Sequence, residues 1–286
     1  MKTKRTTIFL ALMLVCLTSG TATAQKPPGS VFKAIYEMKG SYMAEDLNNK
    51  DAIPKYLTVL EIYPDKSFFY HLQRVYNDSI IQATLQATND PVGAQMAGTG
   101  INSKTVVIHV LSSFETGKRT VTHPLYFDHY RYEEGMTRPE WVIDESVTET
   151  KSGYKCHKAT ADYLGRVWTV WYTPEIPTSA GPWKLWGLPG LIVEASEADG
   201  MYAFSMSSFT SMDEKDSKIG CEKYLALGNL NMESRKNVMK LVKLYVTDKQ
   251  AFFLTIFPGS IVDMGSKDGS PVRAEEMRRK FVDIER

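Results

Sequence analysis

Apolar and polar residues alternate along much of this chain with the two-residue period of strands, and few stretches show the 3.6-residue period of helices. Val31–Met43, Lys55–Tyr63 and Ser67–His71 are predicted strands. Pro64-Asp65-Lys66 separates the last two with turn chemistry: proline pre-sets φ, and aspartate bonds its own backbone. Leu72–Ala87, with Val75, Ile80, Ile81 and Leu85, is predicted to be helical, and Asn89–Lys104, rich in Gly, Asn, Asp and Pro, to be a loop. Thr105–Leu111, Val121–Tyr132 and Glu140–Asp144 read as further strands. Tyr154–Ala161 and Arg166–Thr173 read as a hairpin joined by Asp162–Gly165.

Beyond the Pro/Gly-rich Pro174–Gly190 come Leu191–Ala195 and Met201–Thr210, separated by a turn at Glu197–Gly200. Asn231–Thr247 places apolar residues at 232, 238, 239, 241, 242 and 245, a helical stripe behind an asparagine cap. Phe252–Phe257 is expected to be a last strand, Gly265–Gly269 a polar connection, and Glu275–Phe281 a short charged helix. No repeat and no regular strand–helix alternation is visible. The pattern predicts one mainly β (α+β) domain: a curved antiparallel sheet or half-barrel with one or two packed helices.

The first residues follow a different logic. Lys2, Lys4 and Arg5 precede the apolar run Ile8–Leu17, and Ala22-Thr23-Ala24 supplies small residues at −3 and −1. This is the pattern of a secretory signal peptide, residues 1–24, cleaved after Ala24 to leave a domain of 25–286. The apolar run is too short for a bilayer of roughly 30 Å, and no later segment reaches spanning length. Cys16 lies within the run, and Leu14-Val15 before it are not the small residues of lipoprotein processing. The expectation is a periplasmic or secreted protein with no transmembrane segment after cleavage.

Composition narrows the classes. Hydrophobic residues are 43% and charged residues 23%, which excludes a disordered, collagenous or coiled-coil chain. Lys+Arg is 34 against Asp+Glu at 33, so nothing points to nucleic acid. After cleavage only Cys156 and Cys221 remain. In an oxidising compartment they read as one disulfide, closing a loop of about 65 residues and worth on the order of 4 kcal/mol. Two free thiols or half a metal site are the alternatives, but no CxxC or His/Cys cluster supplies further ligands.

GxSxG, HExxH, GxxxxGK[ST], GxGxxG and an EF-hand loop are all missing, so no catalytic residue, metal or cofactor is assigned. His123, Asp128, His129 and Glu133 form the densest group of candidate ligands. On one strand His123 and His129 would share a face yet stand roughly 20 Å apart. They would meet one ion only if the chain bent between them.

The most informative stretch is Gly165–Ala195. In its strand, Val167, Thr169, Trp171 and Thr173 share one face, and Arg166, Trp168, Val170 and Tyr172 the other, so both faces carry a large aromatic. Leu188-Pro189-Gly190-Leu191 has the proline and glycine of a type II turn, and Gly181 and Gly187 suggest close backbone approach or positive φ. Trp168, Trp171, Tyr172, Trp183 and Trp186 read either as core or as an aromatic platform for a ligand or partner.

The intact Gly187-Leu188-Pro189-Gly190-Leu191-Ile192 resembles the signature of the GLPGLI family of exported proteins of Gram-negative bacteria. Tyr154, Cys156, Ala159, Gly165, Arg166, Trp168, Trp171–Pro177, Gly181 and Pro182 supply matching context. The resemblance implies an envelope protein and carries over no catalytic residue. The strand pattern is also similar to the half-barrel of bacterial lipoprotein carriers, a likeness of fold alone. Two functions are therefore expected in competition. One is a non-catalytic binding protein for an apolar or lipid-like small molecule, a peptide or an outer-membrane-associated protein partner. The other is a periplasmic hydrolase using His123 or His129 with a nearby carboxylate.

Overall fold

A computed structural model describes residues 31–98, 104–126, 128–220, 229–258 and 281–285. The expected signal peptide, Cys221, Gly265–Gly269 and Glu275–Lys280 lie outside them.

The fold is mostly β, as the alternation predicted: one open, curved sheet of 12 strands. These are β1 (Val31–Lys39), β2 (Lys55–Ile62), β3 (Lys66–His71), β4 (His109–Ser113), β5 (Lys118–Leu125), β6 (Asp128–Gly135), β7 (Val142–Lys151), β8 (Tyr154–Tyr163), β9 (Arg166–Thr173), β10 (Leu191–Glu197), β11 (Ala203–Met212) and β12 (Leu230–Met232). Their order is β12-β6-β5-β4-β3-β2-β1-β11-β10-β9-β8-β7. The β12–β6 pair is parallel and the other pairings are antiparallel. The β8–β9 hairpin closes through Leu164 and Gly165, both at positive φ (51° and 76°), the geometry of a type I′ turn whose twist matches the strands.

Helix α1 (Leu72–Thr88) follows β3 directly. His71 caps it, its Nδ1 accepting from the Arg74 amide, and Asn89 ends it in the left-handed region. Its Val75 packs with Val59, Phe68 and Tyr70 on one sheet face. Helix α3 (Arg235–Thr247) lies against β5 and β6, burying Val238 and Val242 one turn apart. It joins the large core that contains Trp168, Trp183, Phe204 and Leu188.

Four sequence expectations need correction. Val121–Tyr132 is two strands, β5 and β6, with Tyr126 at φ 59° between them. Asn89–Lys104 contains helix α2 (Pro91–Ala97), opened by a proline whose missing N–H costs nothing in a first turn. The cap of α3 is Ser234, whose Oγ accepts from the Asn237 amide, while Asn231 lies in β12. Phe252–Phe257 is not a strand: α4 (Lys249–Ile256) covers most of it, capped by Asp248, whose Oδ1 accepts from the Ala251 amide.

The Leu188–Leu191 turn also differs in its physics. Gly190 is not among the glycines at positive φ; it is required by proximity, since a Cβ there would stand 2.2 Å from the Thr173 carbonyl oxygen. Gly190→Ala must therefore push the end of β9 and the start of β10 apart. It is expected to cost about 3 kcal/mol, the upper end of overpacking penalties, read as a shift in the urea midpoint.

Candidate functional site

Strand β9 sorts the aromatic residues by face. Trp168 is fully buried against Trp183, their ring centroids 5.5 Å apart, and Tyr172 is buried on the same face. Trp171 is half-buried on the opposite face, with the Lys151 ammonium 5.1 Å over its ring. Trp186 stands apart, half-buried and stacked on Phe114 at 5.9 Å. The five residues thus occupy three separate places and share no single platform.

What the Gly187–Ile192 motif does locally is clear from its hydrogen bonds. Leu188, Leu191 and Ile192 are buried in the core, and the Tyr36 hydroxyl donates to the Ile192 carbonyl at 2.7 Å. On its other side the motif holds the segment before β7. Arg138 donates to the Gly187 carbonyl at 2.6 Å, the Trp141 indole to the Trp186 carbonyl at 2.8 Å, and the Trp186 indole to the Thr137 carbonyl at 3.1 Å. Gly187 sits at φ 96°, in the region that favours glycine, and a Cβ there would meet the Arg138 side chain at 3.0 Å.

The segment so held, Thr137–Glu140, forms one wall of a groove of about 500 Å³. The other wall comes from Val142, Thr160–Leu164 and Val167. Val142 and Val167 are 70% and 50% exposed, an apolar lining left open to solvent. β7 is one edge of the sheet, mostly exposed, and its pairing with β8 shifts register between Asp144 and Thr148. Glu140 and Asp162 line the groove together with Arg138, which is tied to the Gly187 carbonyl, and Asp144 on this edge stands opposite Lys158.

Thr137, Tyr163 and Leu164 also line a second cavity of about 290 Å³, which adjoins the groove. That end is charged. The Lys184 ammonium, fully buried, lies 2.5 Å from Glu134 Oε1 and 2.5 Å from Glu285 Oε1. Arg119, 2% exposed, donates to Ser112 Oγ, the Tyr163 hydroxyl and the Lys184 carbonyl, and lies 3.8 Å from Glu134. Arg235 of α3 reaches Glu285 at 3.0 Å and Asp283 at 3.6 Å. Burial raises the Asp283 carboxyl to about 6, with Glu285 adding to the effect. Each cation here has a carboxylate partner, so the cluster fixes positions and offers a mixed-charge wall.

Sequence reading missed this cluster because its members are scattered from Arg119 to Glu285. Two signals were present. Arg119 shares strand parity with Val121 and His123, and Lys184 interrupts the apolar run Trp183–Leu188.

The histidines are placed on opposite faces, since His123 pairs with Tyr130 and His129 with Pro124. His123 is buried beside Tyr132, and both its ring nitrogens lack partners. His129 lies under α1, 6.4 Å from His109 between ring centroids, with Nε2 3.7 Å from Asp78. That separation exceeds hydrogen-bond reach. Burial lowers both to about 3, helped by Lys184 at His123 and by Arg74 at His129. Among the described residues no group of three or more His, Cys, Asp or Glu is arranged to hold a metal ion. Cys156 is a buried free thiol, so the expected bridge to Cys221 is not formed at its described end. No helix among the described residues is long and apolar enough to cross a membrane.

The family model described as "Protein of unknown function (Porph_ging)" matches residues 164–194. That stretch contains β9 and the Gly187–Ile192 motif, in agreement with the GLPGLI resemblance. No curated protein matches the chain. Among solved structures, PNGF-II in a P21 crystal form is similar at a TM-score of 0.50 and 10% identity, over 74% of this chain and 33% of that one. PNGF-II in a C2 form gives 0.48 and 11%, over 74% and 32%. The chain therefore spans about a third of the length of these solved chains, and the first likeness shows a shared β-rich fold alone.

Proposed function

We propose that this is an exported, GLPGLI-type, non-catalytic binding protein whose groove holds an extended segment of a partner protein. The Met1–Ala24 pattern supports export to the periplasm or beyond. One observation carries the binding reading: the groove beside the β7 edge, with its adjoining cavity, walled by the segment that Trp186 and Gly187 hold in place. Its two parts, about 500 and 290 Å³, have the dimensions of ligand sites. An open, one-sided groove suits an extended chain better than a lipid, which needs enclosure on all sides. The inner face that a lipid would use is filled by Trp168, Trp183, Phe204 and Leu188.

The lining gives the ligand's chemistry: apolar side chains against Val142 and Val167, and basic ones toward Glu140 and Asp162. A fluorescent peptide, Lys-Val-Thr-Val-Lys-Val, is the probe. It is expected to bind the full-length mature protein, with affinity lowered tenfold or more by Val167→Asp and by replacing its lysines with glutamates. Because Val167 is half-exposed, the variant's melting temperature should stay within about 2 °C of the parent. Equal affinity for the two peptides, or for both proteins, would remove the reading.

A further inference from the structure

The segment Phe281–Glu285 is held by the rest of the molecule in the manner of a bound peptide. Its backbone makes a single bridge, Phe281 to Met43, and the Val282 amide donates to the Tyr42 carbonyl at 2.9 Å. Side chains from distant elements supply the other contacts. The Phe281 ring stacks on Tyr42 at 5.3 Å. The Tyr202 hydroxyl reaches the Val282 carbonyl at 3.0 Å. Arg166 donates to the Asp283 carbonyl through Nη2 at 2.6 Å and to the Ile284 carbonyl through Nε at 2.8 Å. Ile284 is 2% exposed, and Glu285 is clamped by Lys184 and Arg235.

Two features mark this as a site with a ligand in it. First, the two buried cations each have a counter-ion that does not belong to the segment: Arg166 pairs with Glu197 at 3.1 Å, and Lys184 with Glu134. If the segment leaves, neither charge is stranded, so the usual penalty for breaking a buried pair does not lock it in place. Second, without the segment the cleft would hold four cations, Arg119, Arg166, Lys184 and Arg235, against three carboxylates, Glu134, Glu197 and Asp199. The surplus positive charge selects an acidic occupant, and the segment supplies Asp283 and Glu285.

We infer that this cleft is a peptide-binding site for the pattern aromatic–x–Asp–aliphatic–Glu, with Phe281–Glu285 as its resident and exchangeable ligand. The inference rests on the contacts of this segment; of the charged groups it uses, Arg119, Glu134, Arg235 and Glu285 also line the cavity that adjoins the groove, and none lies on the β7 side. The chain joins it covalently to α4. Covalent attachment gives such a ligand an effective concentration that any free peptide has to match. A free peptide of the same intrinsic affinity must therefore reach about that concentration to displace it.

The test uses the full-length mature protein with a protease site inserted among residues 259–280 and cut after folding. The probe is fluorescein-labelled Phe-Val-Asp-Ile-Glu, followed by anisotropy, with near-ultraviolet circular dichroism reporting the fold. The cut protein is expected to stay folded, release its fragment on dilution and bind the probe at least tenfold more tightly than uncut protein does. Phe-Val-Asp-Ile-Gln should bind at least tenfold more weakly than the parent peptide. Changing the peptide leaves the protein's own fold untouched. Unfolding on release would make the segment a part of the core and overturn the inference. So would a fragment that never exchanges, or equal binding of the two peptides.

Discussion

Lys184→Met is expected to lower folding stability by about 3–5 kcal/mol, because it strips the shared cation from two carboxylates in a buried site. Lys184 is fully buried with Glu134 and Glu285 on either side. In the variant Glu134 keeps only Arg119, at 3.8 Å, while Glu285 keeps Arg235 at 3.0 Å. The heavier burden therefore falls on Glu134. Adding Glu134→Gln to Lys184→Met should recover about 1 kcal/mol or more, a coupling of the size seen between contacting groups. Urea unfolding of the two single variants and the double variant measures it. Simple additivity would mean that the ammonium contributes through packing alone.

The second large effect is acid sensitivity. His71, His109, His123 and His129 are each no more than 2% exposed. Burial pushes His71 down to about 4, His123 and His129 to about 3, and His109 well below its ordinary value. Neighbouring charges add to this: Arg74 at His71 and His129, Lys184 at His123, and His129 and Arg74 at His109. The unfolded chain protonates all four near pH 6.5, while the folded chain resists until its lower values are reached. Stability is therefore full above about pH 7 and falls as pH drops from 6.5 towards 4, the unfolded state binding more protons throughout.

Asp283, raised to about 6, works in the opposite sense over part of this range, since the folded state takes up its proton first. The net loss between pH 6.5 and 5 is on the order of 5 kcal/mol, enough to bring a domain of ordinary stability close to its unfolding midpoint. Circular dichroism across pH should place that midpoint near 5. His109→Phe suits a pocket that already contains Phe68 and Tyr70. It should reduce the proton uptake on unfolding at pH 5.5 by about one. A protein equally stable at pH 7 and pH 4.5 would refute the burial of these imidazoles as uncharged groups.

How much of this was legible in the sequence depended on whether the cause was local. The strands β1 to β3 and the β8–β9 hairpin were readable because alternation and turn residues are short-range signals. Helix α1 was readable from its apolar spacing. The β5–β6 turn was not, because Tyr126 takes a positive φ without being glycine or asparagine, and the flanking Pro124 and Asp128 lie within the strands themselves. Helix α4 was misread because Phe252, Phe253, Leu254 and Ile256 resemble strand residues, and only the Asp248 cap argues otherwise.

The site divided along the same line. Gly187–Ile192 stood out as a motif, yet its local work, bracing Thr137–Trp141 through Trp186 and Gly187, appears only once distant segments are folded together. The charged cluster joins β5, β6, the tryptophan segment, α3 and Phe281–Glu285, and no sequence window contains more than a fragment of it.

The groove beside β7 is proposed to take an extended polypeptide. Hydrogen–deuterium exchange of the full-length mature protein, with and without Lys-Val-Thr-Val-Lys-Val, tests it most directly. In the free protein the β7 amides should exchange quickly, as expected of an exposed edge. With the peptide bound, protection should rise in Thr137–Asp144 and Thr160–Val167 and stay unchanged in β2 and β3 at the middle of the sheet. Protection that appears elsewhere, or nowhere, would contradict the assignment of this groove as the binding site.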